Sequence, residues 1–322
     1  MRQAGEDRLN ELQHRVRSYL ARTRAVLGTT AEKLLKPLVH LIWRGMRSLD
    51  PDRSSDFGGA VARRIGPWLP ASRVGRDNLR AAFPEKSTAE IESILSGVWE
   101  NLGRVAGEFA HLDRVYDWHP LWPGLGRIES RDAERFAQMR DDGKPSLLFA
   151  AHLANWELPA VAAAAHGIDA VSVFRMPGMR VFGDLIYEVR RGSMGRLLQT
   201  GRMAALAMAA EIERGAHLGL LVDQFWTGGS KVTFFGRLCP ANPTIARLAR
   251  HYDCEVRGIR VVRLPNHHFR LDITEPLELP RDADGKIAVD ATMQMITSII
   301  ESWIREHPEQ WLWLHRRWRD YF

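Results

Sequence analysis

Hydrophobic residues recur at helical spacing through the first third of the chain. Between Leu9 and Leu20, apolar side chains stand three or four positions apart, the spacing that places them on one helix face. The same spacing recurs between Leu35 and Ile42. We therefore expect the first 115 residues to be helical, without a strand. The predicted helices cover residues 6–25, residues 31–48, Ser72–Phe83, and a segment that opens with a capping box at Ser87 and Glu90 and runs to about His111.

The pattern changes beyond a loop rich in Trp, Pro and Gly at residues 118–126. Short apolar runs of strand length then alternate with segments of helical periodicity. This order is typical of an α/β fold, in which helices flank a largely parallel central sheet. Strands are predicted at Ser146–Ala151, Ala170–Phe174, Leu218–Val222, Glu255–Val262 and His268–Ile273, and helices at Asn155–Ala165, Arg180–Arg191, Met203–Arg214, Pro243–His251 and Ala291–Glu306.

Positive charge is concentrated at the N-terminus. The first fifty of the 322 residues carry ten Lys and Arg against five acidic residues, so this segment holds +5 of the net charge of +6. Basic residues beside apolar ones suit an anionic membrane surface, where each cation contributes about 1 kcal/mol. Nucleic acid attracts the same charge, and a helix face exposed to water also explains it. We predict that residues 1–50 form a basic amphipathic region that attaches to a membrane.

No segment is apolar over the roughly 20 residues that a helix needs to cross a bilayer. The best candidate, Leu34–Met46, is interrupted by two basic residues, a proline and a histidine. We therefore expect peripheral or shallow attachment, and no secretory signal peptide. The two cysteines, Cys239 and Cys254, form no disulfide framework and no metal-binding pattern, which is typical of a reducing compartment. No metal or cofactor is predicted.

The strongest chemical signal is the pair His152 and Glu157 in the segment His-Leu-Ala-Asn-Trp-Glu. The segment follows a predicted buried strand and begins a predicted helix, at the sheet edge where α/β folds bind ligands. A hydroxyl needs a base to attack a thioester at neutral pH. A neutral histidine accepts the proton, and a carboxylate on its other ring nitrogen fixes the tautomer. We expect Glu157 to fold back onto His152 in this role.

The pair includes no Ser or Cys nucleophile, which favours direct attack by an acceptor hydroxyl over a covalent acyl-enzyme. A serine hydrolase would need a Gly-x-Ser-x-Gly segment after a strand, and the sequence has none. The spacing alone also fits a structural histidine whose ring hydrogen-bonds to a backbone carbonyl.

Further motifs accompany the His-Leu-Ala-Asn-Trp-Glu segment in a fixed order. They are Arg76–Pro84 (RDNLRAAFP), Val222–Gln224 (VDQ), Thr233–Arg237 (TFFGR) and Pro308–Trp318 (PEQWLWLHRRW). Together the five segments resemble the late acyltransferases of lipid A biosynthesis, the lauroyl and myristoyl acyltransferase family. The resemblance runs from about residue 60 to the C-terminus.

The resemblance implies a glycerolipid-acyltransferase-like fold, with residues 51–322 as the acyltransferase domain, on the cytoplasmic face of the inner membrane. It implies transfer of a fatty acyl group from acyl carrier protein to a hydroxyl of a lipid A precursor, with His152 as base and Glu157 as its partner. Similar enzymes acylate phosphatidylinositol mannosides, so another glycolipid is the alternative acceptor. Many members begin with a transmembrane helix, and the interrupted Leu34–Met46 segment departs from that pattern.

Three further residues are candidates for substrate binding. Arg175 follows a predicted strand, at the place of a cationic site in the family, and a surface salt bridge is its alternative role. Asp223 matches the family's Asp-Gln element at the end of another strand. Capping a loop is its alternative role, because Gly228 and Gly229 shortly after it favour a turn. Arg237 is a candidate contact for an acceptor phosphate, with a structural ion pair as the alternative.

The C-terminal residues 311–319 interleave Trp with Arg and His. Such interleaving is typical of a membrane interface and also of single-stranded nucleic-acid binding. The resemblance implies instead that some of these residues pack near the site and that the arginines are candidate contacts for acceptor phosphate. A basic, Trp-rich nucleic-acid-binding protein is therefore the alternative from a different class. That reading gives no reason for the placement of His152 and Glu157, so we predict no nucleic-acid partner.

Overall fold

The computed structural model of the protein describes residues 36–118, 125–130, 132–176 and 180–319. Helices form the first of these ranges, as predicted, while the predicted helix over residues 6–25 lies outside the described residues. The helices are α1 (residues 36–48), α2 (Pro51–Ile65), α3 (Ala71–Ala82), α4 (Thr88–Phe109) and α5 (Leu112–Val115), with a 3-10 turn at Gly66–Trp68.

Glycines allow α2 and α4 to pack backbone against backbone. A Cβ added to Gly103 would lie 2.1 Å from the carbonyl oxygen of Gly58. A Cβ added to Gly58 would lie 2.3 Å from the carbonyl oxygen of Gly103. Any larger side chain at either position would therefore push the two helices apart. The predicted capping box is present at the start of α4, where Ser87 and Glu90 exchange hydrogen bonds.

A mixed sheet with flanking helices forms the rest of the described chain, which confirms the predicted fold class. Its central strands β8, β2, β5, β3 and β4 run parallel in this spatial order, and β9 joins β8 antiparallel, with β1 outermost. The strands are β1 (Ile128–Ser130), β2 (Ser146–Ala150), β3 (Ala170–Phe174), β4 (Arg196–Gln199), β5 (His217–Leu221), β8 (Glu255–Arg263) and β9 (Phe269–Ile273), and the helices are α6 (Ala133–Asp141), α7 (Leu158–Ala165), α8 (Arg180–Ser193), α9 (Ala204–Glu213), α10 (Thr244–Tyr252) and α11 (Val289–Glu306).

The predicted strands and helices of this region are confirmed to within a few residues at their ends. The sequence pattern missed the short elements β1, α6 and β4. It also missed a two-stranded hairpin of β6 (Phe225–Phe234) and β7 (Arg237–Ala241), whose Gly228 and Gly229 the pattern favoured as a turn. In the structure these glycines lie in β6 at an irregularity of the pairing, so the chain reverses later, at Phe235 and Gly236.

Candidate active site

The carboxyl ends of neighbouring parallel strands carry the predicted site residues. β5 lies between β2 and β3 in the sheet, so the chain leaves all three strands at one edge. His152 stands two residues beyond β2, Asp223 two residues beyond β5, and Arg175 directly beyond β3. This edge is where α/β sheets bind ligands, and it brings His152 and Asp223 into contact.

Asp223 holds both the ring and the main chain of His152. One carboxylate oxygen lies 2.8 Å from Nδ1 of the imidazole, and the other accepts the His152 backbone N–H at 2.8 Å. Because an ionised carboxylate only accepts hydrogen bonds, Nδ1 carries a proton. In the neutral ring, Nε2 is therefore unprotonated and can accept a proton from a substrate. The His152 side chain is 15% exposed, whereas that of Asp223 is 2% exposed.

The Asp223 carboxylate is stabilised as an anion inside the protein. Burial by itself raises the pKa of this group, but the attraction of His152, its two hydrogen bonds and a third from the Trp311 indole outweigh burial and lower the pKa to about 2. The indole N–H of Trp311 donates to Asp223 at 2.7 Å. Asp223 is therefore negatively charged throughout the neutral pH range.

Glu157 has a different partner from the one predicted. Both of its carboxylate oxygens accept hydrogen bonds from the guanidinium group of Arg190 on α8, at 2.6 and 2.9 Å. The expected contact between Glu157 and the His152 ring is not formed, since Asp223 holds Nδ1 and Arg190 binds the glutamate. The physical reason is direction: Glu157 is the residue before α7, and its side chain points toward α8 rather than back along the loop.

The loop between β2 and α7 makes a sharp turn at Ala154. This residue has a left-handed backbone, with φ of 49°, a conformation that costs a non-glycine residue about 1–3 kcal/mol. Its N–H donates to the carbonyl of Gln310 at 2.9 Å, and its carbonyl accepts from the Asn101 amide at 3.2 Å. The side chain of Asn155 accepts the N–H of Glu157, the residue before α7, at 3.2 Å. These bonds stabilise the strained turn.

A buried ionic network fixes the loop between β2 and α7 against α4. Glu108 on α4 forms an ion pair with Arg263 of β8 and accepts hydrogen bonds from Asn155 at 2.9 Å and from Ser55 on α2 at 2.7 Å. Arg263 also donates to the Asn101 oxygen at 2.9 Å. Because every member has partners, the network compensates the burial of its charges and fixes α4 against the loop.

The C-terminal segment, residues 308–319, lies along the other side of the loop. The Leu312 N–H donates to the His152 carbonyl at 3.1 Å, and Leu153 pairs with Trp311 in an isolated β-bridge. Asn78 of α3 donates to the carbonyls of Trp313 and His315, at 2.7 and 2.8 Å. Trp311 and Trp313 are buried, so these two residues pack near the site, as the resemblance implies.

Comparison with known proteins identifies the family of the chain. The family described as bacterial lipid A biosynthesis acyltransferase matches residues 29–320 of the chain. The chain belongs to this family. Relatives of this O-acyltransferase include the lipid A biosynthesis myristoyltransferase of Escherichia coli K12, with 22% identity over 80% of both chains. Others are the E. coli K12 lipid A biosynthesis palmitoleoyltransferase, with 26% identity over 81% of this chain and 82% of the relative, and lipid A biosynthesis acyltransferase 1 of Shigella flexneri, with 23% identity over 80% of both chains.

The two predicted arginines of this acyltransferase lie in different surroundings. Arg175 is exposed at the same edge of the sheet as His152, directly after β3. Arg237 lies at the start of β7, where the hairpin reverses, and its guanidinium stands 5.3 Å from the centre of the Trp318 ring. A contact of either with a substrate phosphate stays a prediction.

Sequence patterns did not single out several residues of the lipid A acyltransferase site. Arg190 lies 33 positions from Glu157, and Trp311 lies 88 positions from Asp223, so no local spacing connects these pairs. Trp311 and Gln224 belong to segments that carried the resemblance, and that membership was the available signal. Within the described residues, no group of three or more His, Cys, Asp or Glu side chains is arranged to hold a metal ion.

Proposed function

We propose that this acyltransferase moves a fatty acyl group from acyl carrier protein to a hydroxyl of a lipid A precursor, with His152 as the general base. The observation that carries the proposal is the double contact of Asp223 with the ring and main chain of His152. It leaves Nε2 as a proton acceptor on the partly exposed side of a ring whose tautomer is fixed. The activities in the relatives' names, myristoyl and palmitoleoyl transfer in lipid A biosynthesis, fit a base of this kind.

The reaction follows from this arrangement in two steps. The acceptor hydroxyl gives its proton to Nε2 of His152 while its oxygen attacks the thioester carbonyl carbon, which forms a C–O bond and leaves the carbonyl oxygen negatively charged. The C=O bond then re-forms, the C–S bond breaks, and the departing sulfur takes the proton from His152. Asp223 stabilises the positive imidazole ring in between. The protein supplies no covalent nucleophile in this scheme.

Glu157 has a positioning role in the proposal. Its ion pair with Arg190 joins the start of α7 to α8, and Arg190 also stacks over Phe174 at the end of β3, 5.7 Å from the ring centre. The pair thus ties the His152 loop to the strand end that carries Arg175. Arg175 and Arg237 are proposed contacts for the acceptor phosphates, which guanidinium groups bind well.

The proposed membrane partner is supported by an apolar surface on α1, α2 and the 3-10 turn. None of the helices that the structure describes is long and apolar enough to cross a bilayer. Large apolar side chains are nevertheless open to solvent on this surface, among them Leu41 at 67%, Phe57 at 58%, Ile65 at 53% and Trp68 at 87% exposed. Phe57 and Ile65 line one apolar groove together with Met46 and Leu69, and exposed apolar side chains that lie together favour an interaction surface.

Charge and size favour a lipid bilayer for this surface. Arg53 and Arg64 are exposed and stand four and seven positions from Phe57, so they share its helix face. An apolar groove of about 290 Å³ lies beside them, between α2 and α4. Basic residues next to a shallow apolar face are typical of peripheral binding to anionic lipid. We place this contact at the cytoplasmic face of the inner membrane, where the acceptor would lie.

The proposal is tested by acyl transfer from acyl carrier protein to a lipid A precursor, read by mass spectrometry. His152→Ala should lose about 10²–10⁴-fold in rate, and Asp223→Asn should be similarly impaired because the ring loses its fixed tautomer. The double variant should be little slower than His152→Ala, since the two residues act as a unit. His251→Ala, at an exposed position on α10, should keep the wild-type rate.

The direct-attack step has its own check in the same experiment. Incubation with acyl donor alone should leave the intact mass of the protein unchanged. A protein carrying one acyl group on a Ser or Cys would contradict direct attack, and near-normal turnover by His152→Ala would remove the general base from the mechanism.

A further inference from the structure

Gln224 is the residue next to Asp223, and its exposed side chain reaches over the imidazole of His152. Its amide nitrogen lies 3.3 Å from Nε2. Since Asp223 fixes the proton on Nδ1, Nε2 of the neutral ring has only a lone pair to offer. The NH₂ end of the Gln224 amide is therefore the end that faces His152, and it acts as a hydrogen-bond donor.

This amide occupies the place next to Nε2 where an acceptor hydroxyl would sit. A hydroxyl that gives its proton to Nε2 lies about 2.7–2.9 Å from that nitrogen. The carbonyl carbon under attack bonds directly to the hydroxyl oxygen, and the developing oxyanion is attached to the same carbon. The Gln224 amide, which reaches Nε2 from the open side of the site, is therefore close to the position of the oxyanion. A small rotation about the side-chain bonds of glutamine would bring its N–H to that oxygen.

The main-chain donors around His152 are largely committed to other acceptors. The N–H of His152 donates to Asp223, that of Leu153 to the Ala151 carbonyl at 2.7 Å, and that of Ala154 to Gln310. The Glu157 N–H donates to the Asn155 side chain. An oxyanion formed beside Nε2 therefore needs either a side-chain donor or one of the main-chain N–H groups that have no other acceptor. The remaining main-chain candidates are the N–H groups of Asn155 and Trp156.

We propose that Gln224 is a further catalytic residue, whose side-chain N–H donates to the thioester carbonyl oxygen as that oxygen becomes negatively charged. The inference rests on the proposed function. The amide contacts Nε2 in the structure; when the acceptor hydroxyl takes that place, the amide turns to the carbonyl oxygen. A donor of this kind acts mainly on the transition state, because a neutral carbonyl binds it weakly and an oxyanion binds it strongly.

The test compares Gln224→Ala and Gln224→Glu with wild type, with Gln138→Ala at an exposed position on α6 as the matched control. Loss of the donor should lower kcat by about 10²–10³-fold with little change in KM. The melting temperature should stay unchanged, because the side chain is exposed. Gln224→Glu has the same length but donates only when protonated, so its rate relative to Gln224→Ala should rise as the pH falls.

Two outcomes would overturn the inference without touching the proposed function. If Gln224 only occupies the acceptor position, Gln224→Ala should turn over at least as fast as wild type while His152→Ala stays impaired. If it only orders the loop or binds the acceptor, KM should rise and kcat should hold. Failure of the wild-type enzyme to transfer acyl groups would instead count against the proposed function itself.

Discussion

At the scale of single residues, Asp223 fixes His152 in place before any substrate arrives. Its two oxygens bind the ring and the main chain of the same residue, so rotation of the imidazole would break a charge-assisted bond. Trp156 packs beside the ring, 5.3 Å between ring centres. A base that is held in its reactive orientation needs no reorganisation during proton transfer, which is the main source of catalytic advantage in preorganised sites.

The low pKa of Asp223 makes the fold sensitive to acid. The folded-state pKa of about 2 lies below that of an unfolded aspartate, about 3.9. The carboxylate therefore stabilises the fold above about pH 4, and this contribution is lost as the pH falls toward 2. Urea unfolding at pH 6 and pH 3 should show that wild type loses on the order of 1–2 kcal/mol more than Asp223→Asn over this interval. Equal losses in both proteins would show that Asp223 is not stabilised as an anion.

At the scale of elements, sequence periodicity predicted the regular parts of the fold and placed His152 and Asp223 at strand ends. It assigned the wrong carboxylate to the imidazole because proximity in sequence favoured Glu157, five positions away, over Asp223, 71 positions away. Which of two acidic residues contacts the imidazole ring depends on the spatial order of the strands. That order cannot be predicted from the spacing of residues along the chain. The β6–β7 hairpin was missed for a related reason: its glycines signal a turn but lie within a strand.

The C-terminal segment contributes the least expected element of the site. Trp311 resembles the other tryptophans in sequence, but its indole N–H donates to Asp223. Trp313, two residues on, also has a buried ring, and its N–H donates to the Pro308 carbonyl at 2.7 Å. The two residues therefore differ mainly in the hydrogen-bond acceptor of the indole N–H, so substitutions at the two positions can be compared directly.

Replacing Trp311 with Phe should keep most of the packing and remove one hydrogen bond from the Asp223 carboxylate. A hydrogen bond to a charged group contributes about 1.5–3 kcal/mol, so we expect kcat to fall roughly tenfold or more as Asp223 loses its fixed position. Both Trp311→Phe and Trp313→Phe should lower the melting temperature. Trp313→Phe, however, should leave kcat near wild type. If both variants lose activity in proportion to stability, Trp311 acts through packing alone.

At the scale of the whole molecule, α4 connects the apolar surface on α1 and α2 to the loop that carries His152. Its Asn101 and Glu108 bind the loop residues Ala154 and Asn155, and its Gly103 packs directly on α2. Helix α1 is fixed to the body by Arg47, which binds both oxygens of Asp113 on α5 at 2.6 Å. A bilayer that contacts α1 and α2 would therefore lie one helix layer from His152, a suitable distance for a lipid acceptor that stays in the membrane.

The membrane contact itself is tested with vesicles that contain anionic lipid. Wild type should bind them, and Phe57→Ser combined with Ile65→Ser should weaken binding strongly, because both exposed side chains lie on the proposed contact face of α2. Leu238→Ser, which removes a similarly exposed apolar side chain from β7 (49% exposed), should bind as wild type does. High salt should release a large part of the bound protein, since charges at the surface are screened over about 8 Å at physiological ionic strength. Retention of all the protein through high salt and alkaline carbonate would mean deeper insertion, and the peripheral arrangement would then be wrong.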